Sequence, residues 1–366
     1  MGKTLKQIAE TLKNNNKVQL IYAFNGIGKT RLSCEFKEFV SSKASGDESP
    51  MKVIYYNAFT EDLFYWDNDL KEDTKRELLI HPNKFIYWVF KEQGQENNVI
   101  NLFQHYVNGK LTPRFSENYN KITFTIDGGN NGIIDGIKIS KGEESCLIWC
   151  TFYCLLAQII DILNVPEPEE RETDRFNELE YVFIDDPVSS LDENHLIELA
   201  VNVSNLIHSS QSGLKFIITT HNPLFYNVLY NELGLNRKWE KHCFLLERND
   251  DGSYVLEEKP GDSNKSFSYH LYLINILKKA IVNNNIAKYH FMLLRNIYEK
   301  TANFLGYPRW SDLLPDDKKT YYNRIIQFTS HSTLSNETIP DPTEPEKQTL
   351  KLLLEHIIDN HYYKEE

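Results

Sequence analysis

The segment Ala23–Thr30, AFNGIGKT, has the spacing of a phosphate-binding loop, GxxxxGK[ST], with alanine at the first glycine position. In such a loop, backbone N–H groups surround a β-phosphate, the lysine neutralises the β and γ oxygens, and the hydroxyl coordinates Mg²⁺. An apolar run precedes the loop and a helical pattern follows it, as the motif requires. The predicted nucleotide ligands here are Asn25, Gly26, Gly28, Lys29 and Thr30, and Thr30 is also a predicted metal ligand.

A second segment, Ile139–Ser145 (ISKGEES), resembles the signature motif of ABC-type ATPases. Ser140 and Gly142 would offer a hydroxyl and an amide to a γ-phosphate, and the start of the following helix would add its positive end. In ABC proteins the signature serine of one head completes the site of another. The resemblance therefore implies a homodimer, or a higher oligomer, that forms through the heads when nucleotide binds.

Two more segments follow in the ABC order. In YVFIDDPVSSLD a buried strand would deliver Asp185 to Mg²⁺ and place Asp186 where ABC proteins usually have a catalytic glutamate, with Ser189–Asp192 matching the D-loop. In FIITTHNP, His221 stands at a strand end, where the switch histidine contacts the γ-phosphate. Because Asp186 is one methylene shorter than glutamate, we expect slow hydrolysis, which suits a switch.

Three C-terminal side chains form a set able to cut RNA without a metal ion. Arg295 and Glu299 share one face of a predicted amphipathic helix, and His331 lies in the polar segment FTSHSTLSNE. One of Glu299 and His331 would take the proton of a 2′-OH while the other donates to the leaving 5′-oxygen, and Arg295 would stabilise the phosphate charge. The products would be a 2′,3′-cyclic phosphate and a 5′-OH. The same Arg–Glu spacing is common in surface salt bridges, so spacing alone leaves both interpretations open.

The elements that must position these residues predict an α/β P-loop head followed by a mostly helical C-terminal domain. Apolar runs indicate strands at 17–24, 53–56, 121–126, 181–184 and 216–218, a hairpin at 243–259, and a long helix at 143–163. After the second strand we expect an aromatic-acidic loop and then helices to about residue 111. Helical periodicity dominates beyond Gly261, and the predicted domains are 1–264 and 265–366.

Charge and hydropathy exclude several classes of protein. The net charge of −12 argues against a protein that coats DNA. Residues 265–366 carry 13 basic and 12 acidic side chains, so nucleic-acid binding would be local. We find no signal peptide and no run of ~18 apolar residues, and we therefore expect a cytoplasmic protein without a membrane partner.

Two other functions fit parts of the pattern. The head could belong to a DNA-repair or SMC-like ATPase, but such proteins insert long coiled coils between the phosphate loop and the signature. Here about 110 residues separate the two motifs, without sustained heptads. The chain could also be a nucleotide-gated interaction module, in which Arg295 and Glu299 form only a salt bridge.

Over its whole length the chain resembles the bacterial anticodon nuclease family. The resemblance rests on long segments with no generic function to explain them: YYNAFTEDLFYWDNDL, YVFIDDPVSSLD, GDSNKSFSYH, LLRN-YEKTA-FLGYP and FTSHSTLSNE. It implies a head using ATP or GTP with Mg²⁺, and a nuclease that cuts lysine tRNA 5′ to the wobble base. It assigns catalysis to Arg295, Glu299 and His331.

The same resemblance implies how the substrate is recognised and how activity is controlled. Anticodon recognition falls on Lys259–His270, with Asp262 and Ser263 reading the wobble base beside Asn264 and Lys265. A type I restriction-modification complex is the implied partner that keeps the nuclease latent until a phage disables it. The implied role is antiphage defence as a latent toxin.

Overall fold

The computed structural model divides by its internal contacts into two compact units, Met1–Asp262 and Ser263–Glu366. It describes residues 2–41, 51–57, 64–68, 76–81, 87–107, 109–129, 132–187, 193–235, 243–249, 251–259, 269–315, 320–321, 324–325 and 342–362.

A six-stranded sheet organises the first unit. Its strands are β1 (Val18–Tyr22), β2 (Val53–Asn57), β8 (Tyr181–Asp185), β9 (Lys215–Thr220), β10 (Cys243–Arg248) and β11 (Tyr254–Glu258). They lie in the order β11-β10-β1-β9-β8-β2, with only β11 antiparallel to its neighbour. Near-continuous apolar sequences form the central strands because both faces are covered. Since β1, β8 and β9 are parallel, the residues that follow them meet at one edge of the sheet.

Helices enclose this sheet. They are α1 (Leu5–Lys13), α2 (Lys29–Val40), α5 (Glu193–Ser209) and α6 (Pro223–Glu232). Apolar residues three and four positions apart give α1 a buried face, on which Leu5, Ile8 and Leu12 pack with Phe36 of α2 in one apolar cluster. A reciprocal capping box between Thr4 and Gln7 begins α1.

A second sheet completes the first unit. Strands β3 (Phe64–Asn68), β4 (Arg76–Ile80), β6 (Lys121–Asp127) and β5 (Leu111–Phe115) pair in that order, and β7 (Ile133–Asp135) pairs with β6. The expectation of a loop and helices before residue 111 was wrong for β3 and β4. A π-helical turn (Trp88–Glu92) and α3 (Glu96–Tyr106) do lie in that stretch.

The long apolar helix α4 (Lys141–Leu163) has the length and composition of a membrane span, although it contains no uninterrupted apolar run of that length. Within its most apolar 18-residue window, 72% is buried inside the protein. Its apolar character is therefore accounted for by packing in the core.

The second unit is helical in the residues that the structure describes. Its helices are α7 (Tyr269–Val282), α8 (Lys288–Leu305) and α9 (Glu344–Ile357), with a 3₁₀ turn at Trp310–Leu313 and a π-helical turn at Ile358–Tyr362. Leu277, Leu294 and Leu353 belong to one buried core. The Tyr298 hydroxyl crosses that core to donate to the Leu353 carbonyl at 2.8 Å.

Candidate functional site

The phosphate loop connects β1 to α2. Gly26 and Gly28 have φ of 82° and 114°, in the left-handed region that favours glycine. Ala23 is not among the described residues with positive φ, and its N–H donates to the Thr220 carbonyl at 2.9 Å, which continues the strand pairing. Alanine is therefore tolerated at the first position of the motif because the backbone there is still strand-like.

Lys29 is buried at the start of α2 with 7% of its side chain exposed. Its Nζ donates to the carbonyl oxygen of Ala23 and to Oδ1 of Asn25, both at 3.2 Å. It also forms an ion pair with Asp186 at 3.3 Å. The charge of this lysine is thus held inside the loop, where phosphate oxygens would bind.

Asp185 ends β8 and faces the first turn of α2. Its Oδ2 accepts from the Thr30 hydroxyl at 2.7 Å, and its Oδ1 accepts from the Thr219 hydroxyl at 2.5 Å. Burial raises the pKa of Asp185, and the neighbouring Asp186 carboxylate adds to the rise, against the hydrogen bonds from Thr219 and Thr30 and the charge of Lys29. A divalent cation would stabilise the ionised form of a buried carboxylate of this kind.

Asp186 lies between Lys29 and His221. Its carboxylate oxygens are 2.8 and 2.7 Å from Nδ1 of His221, and only 13% of its side chain is exposed. Burial alone would raise the pKa of Asp186. The hydrogen bond from His221 and the charge of Lys29 outweigh burial, so this pKa lies below its ordinary value. The carboxylate is held ionised in this cluster.

The backbone at Asp186 is unusual for a residue with a side chain. Its φ is 51°, and its N–H donates to the Thr219 carbonyl at 2.9 Å. Left-handed backbone in a non-glycine residue costs of order 1–3 kcal/mol and is concentrated at functional sites. Here it turns the chain out of β8 and brings the carboxylate to Lys29 and His221.

Magnesium and a nucleoside triphosphate fit this arrangement. The Thr30 hydroxyl and the Asp185 carboxylate are oxygen donors of the kind Mg²⁺ takes, and their oxygens are 2.7 Å apart. Within the part of the chain that the structure describes, no atom outside residues 25–27 lies within 4 Å of the point where a Cβ of Gly26 would stand, so the described residues leave the loop open on that side. When bound, the ion would be held by these two groups and would neutralise phosphate charge.

The signature residues lie at the start of α4. Ser140 caps that helix, accepting from the Glu143 N–H at 3.2 Å while its own N–H donates to the Glu143 carboxylate at 2.6 Å. These contacts are local, and Gly142 follows in the first turn. The structure therefore brings together the loop residues, Asp185, Asp186 and His221, and it gives Ser140 a separate capping role. The segment Ser189–Asp192 lies outside the described residues.

In the second unit, Arg295 and Glu299 form the expected pair on α8. The Nε of Arg295 donates to Glu299 Oε1 at 2.7 Å, with 36% and 39% of the two side chains exposed. The Arg295 guanidinium also lies 5.8 Å from the centre of the Trp310 ring. His331 and the recognition residues Asp262, Ser263, Asn264 and Lys265 fall outside the described residues.

Two participants in the head site were not predicted. Thr219 supplies the second hydrogen bond to Asp185, and the pair of threonines after FII was the available signal. Tyr254 of β11 lies against the phosphate loop, its hydroxyl 3.3 Å from the point where a Cβ of Gly28 would stand. Nothing in the spacing of these residues indicated that second contact, because it depends on the hairpin lying beside β1 in the sheet, through the pairing of β10 with β1.

The fold and the site define the class of protein, a P-loop ATPase of mixed α/β structure, and comparison with known proteins agrees. A family model described as "AAA domain" matches residues 99–357, more than half of the chain. A curated relative, the anticodon nuclease of Escherichia coli, is 55% identical over 98% of this chain and 97% of its own length. The chain therefore belongs to the AAA-domain family and to the same family as that anticodon nuclease.

Solved structures show remote likeness to SMC heads. The Smc head bound to the C-terminal winged-helix domain of ScpA has 12% identity and a TM-score of 0.33, covering 69% of this chain and 92% of its own. The SMC head from Thermotoga maritima has 13% identity and a TM-score of 0.29, covering 67% and 91%. At these values the likeness says nothing about function.

Proposed function

We propose that this chain is a nucleotide-regulated endoribonuclease that cuts the anticodon loop of lysine tRNA on the 5′ side of the wobble base. The observation that carries the proposal is the near full-length identity of 55% with an anticodon nuclease. Cleavage would need no metal and would leave a 2′,3′-cyclic phosphate and a 5′-OH. DNA would be inert because it lacks the 2′-OH.

The chemistry would use Arg295, Glu299 and His331. Glu299 accepts from Arg295 at 2.7 Å, so this carboxylate and the guanidinium can act on one phosphodiester. One of Glu299 and His331 would remove the 2′-OH proton and the other would protonate the leaving 5′-oxygen. Arg295 would bind the phosphate and the additional charge of the transition state.

The head would act as the switch. ATP or GTP would bind at the phosphate loop with Mg²⁺ on Thr30 and Asp185, and Asp186 would orient the attacking water. The exposed start of α4, with Ser140 and Gly142, would complete the site of a second copy. Nucleotide would therefore drive head-to-head assembly into a homodimer or a higher oligomer, and this closure would reorganise the nuclease units.

Recognition and control extend the proposal to residues outside the described part of the chain. Asp262, Ser263, Asn264 and Lys265 would read the anticodon loop, with Asp262 and Ser263 at the wobble base. The protein would act in the cytoplasm, held latent by a type I restriction-modification complex, as a toxin in antiphage defence. Membership of the same family as an anticodon nuclease supports this role by analogy.

The test is cleavage of total bacterial tRNA by the purified full-length chain with ATP or GTP and Mg²⁺, mapped by primer extension. We expect one cut in an anticodon loop with a cyclic-phosphate end, lost in Arg295→Ala and His331→Ala. Arg309→Ala is the matched control, since Arg309 is 78% exposed and pairs with the nearby Asp312 in the same unit. In Lys29→Ala, ATP or GTP should no longer change the rate of tRNA cleavage.

A nucleotide-gated interaction module is the second candidate. The observation that favours it is the i,i+4 spacing and partial exposure of Arg295 and Glu299, which an ordinary surface salt bridge would share. Nucleotide hydrolysis without any tRNA cleavage would support this candidate. Cleavage that survives both Arg295→Ala and His331→Ala would instead place the nuclease site elsewhere.

A further inference from the structure

The nucleotide has two ends, and the structure indicates where each would lie. Lys29, which would contact the β and γ oxygens, pairs with Asp186 at 3.3 Å, and Asp186 contacts His221. Asp186 follows β8 and His221 follows β9, and both of these strands lie on the same side of β1. The γ end of a bound triphosphate therefore points toward β9 and β8. The nucleoside end is left on the other side of β1, where β10 and β11 lie.

The hairpin of β10 and β11 reaches past the phosphate loop on that side. Tyr22, the last residue of β1, is level with Leu245 of β10, and β10 continues to Arg248. Three residues of strand rise roughly 10 Å, so Arg248 stands beyond the end of β1, beside the loop. Arg248 pairs across the hairpin with Tyr254.

Tyr254 connects this hairpin to the loop itself. Only 5% of it is exposed, and its hydroxyl and ring edge are 3.3 and 3.5 Å from the point where a Cβ of Gly28 would stand. Its backbone N–H and carbonyl are both bonded to Lys3, at 2.8 and 2.7 Å. Tyr254 is therefore a fixed support next to the phosphate site.

Arg248 lies over that support. Its guanidinium carbon is 5.9 Å from the centre of the Tyr254 ring, and the arginine is exposed. A guanidinium is planar and stacks on π systems. We propose that Arg248, held by Tyr254, is the stacking platform for the base of the nucleoside triphosphate that binds at the loop. This inference rests on the proposed nucleotide binding by the head and adds the nucleoside subsite to it.

The platform has a consequence for specificity. Stacking on a guanidinium uses the face of a purine and leaves its hydrogen-bonding edge unread, so adenine and guanine bind alike. ATP and GTP should therefore both depend on Arg248. Inorganic tripolyphosphate has no base and should not depend on it.

The test is isothermal titration calorimetry of the full-length chain with ATP, GTP and tripolyphosphate, each with Mg²⁺. We expect Arg248→Ala to weaken ATP and GTP roughly three- to tenfold and to leave tripolyphosphate unchanged. Arg248→Lys should resemble Arg248→Ala, because lysine keeps the charge but has no planar face. Arg175→Ala is the matched control: this arginine is 47% exposed and precedes β8, on the other side of β1 from the hairpin.

Each result separates one idea from another. Equal losses of ATP and tripolyphosphate in Arg248→Ala, with recovery in Arg248→Lys, would make Arg248 a phosphate ligand and overturn the platform. Unchanged ATP and GTP binding in Arg248→Ala would overturn it as well. If the wild-type chain binds no triphosphate, or if Lys29→Ala binds as the wild type does, the proposed nucleotide function of the head fails with it.

Discussion

Replacing Asp186 by asparagine tests the charge cluster in the head. The change keeps the shape of the side chain but removes the negative charge that faces Lys29 and His221. Lys29 is 7% exposed and Asp186 13%, so the pair lies largely out of water. The substitution leaves a buried cation without its carboxylate partner.

The size of the effect follows from the remaining contacts of Lys29. Removing one partner of a buried ion pair costs about 3–5 kcal/mol. Lys29 keeps bonds to the Ala23 carbonyl and to Asn25, both at 3.2 Å, and these compensate in part. We therefore expect a loss of roughly 2 kcal/mol without nucleotide, or ~4–8 °C in Tm for a unit of this size.

The expected effect on ATP affinity is in the opposite direction to the loss of stability, and tenfold tighter binding would recover about 1.4 kcal/mol of that loss at saturating nucleotide. In the wild type, a γ-phosphate must approach the Asp186 carboxylate and compete with it for Lys29. Asparagine removes both the repulsion between carboxylate and phosphate and the competition for Lys29. We therefore expect Asp186→Asn to bind ATP roughly tenfold more tightly. Hydrolysis should fall on the order of a hundredfold or more, since the carboxylate that would orient water is lost.

The assay is thermal unfolding with and without Mg²⁺-ATP at neutral pH, beside calorimetry and phosphate release. Because the folded-state pKa of Asp186 is lowered, its stabilisation is present above the unfolded-state pKa and disappears as the pH falls through the lowered value. The difference between wild type and variant should therefore be constant near neutrality and shrink in acid. Asp161→Asn, at an exposed position on α4, is the control.

An unchanged Tm for Asp186→Asn without nucleotide would show that the ion pair does not stabilise the head. Weaker ATP binding by the variant would contradict the argument that Asp186 competes with phosphate. Either result would refute the reasoning about this cluster. An equal Tm loss in Asp161→Asn would show that the loss is not specific to the ion pair of Lys29 and Asp186.

Three further predictions concern single positions. The Mg²⁺-dependent gain in Tm with ATP should shrink as the pH falls through the raised pKa of Asp185, because the folded state then holds the proton that the ion must displace. Gly28→Ala should cost about 1–3 kcal/mol in chemical denaturation, since φ is 114° and Tyr254 is close. Trp310→Ala should slow single-turnover tRNA cleavage about tenfold while Trp310→Phe retains most activity, because the ring supports the Arg295 guanidinium.

The controls for these positions are equally specific. A Mg²⁺ effect on Tm that does not vary with pH would contradict the role of Asp185. Gly26 also has a positive φ, but no contact within 4 Å is found among the described residues where its Cβ would stand. Equal losses of stability in Gly26→Ala and Gly28→Ala would therefore show that Tyr254 adds no steric cost. Normal cleavage by a folded Trp310→Ala variant would show that Arg295 does not need the ring.

The parts of the head that were predictable are those encoded locally. A run of apolar residues followed by a polar turn marks β1, β8 and β9, and parallel pairing then brings Lys29, Asp185 and His221 to one edge. Strands β3 and β4 were missed, and a loop and helices were predicted in their place, because five residues are too few for periodicity to separate a strand from a helix or a loop. The contact of Tyr254 with Gly28 was missed because the sequence does not show which strand the hairpin pairs with.

In the C-terminal unit, the helical face was predictable and the contacts between elements were not. Helical periodicity predicted the face shared by Arg295 and Glu299, and the structure pairs them at 2.7 Å. The packing of Trp310 against Arg295 was not predictable, because it depends on the turn that follows α8. His331 remains a prediction from chemistry and resemblance.

The bonds between Lys3 and Tyr254 matter for how the protein is handled. They cover the outer edge of β11 at this point, where an unpaired strand edge would otherwise invite pairing with another chain and aggregation. Gly2 is also crowded, since a Cβ there would meet the Ser253 hydroxyl at 1.9 Å. A side chain introduced at position 2 would therefore press on this edge, and we expect such a change at a cloning junction to lower solubility.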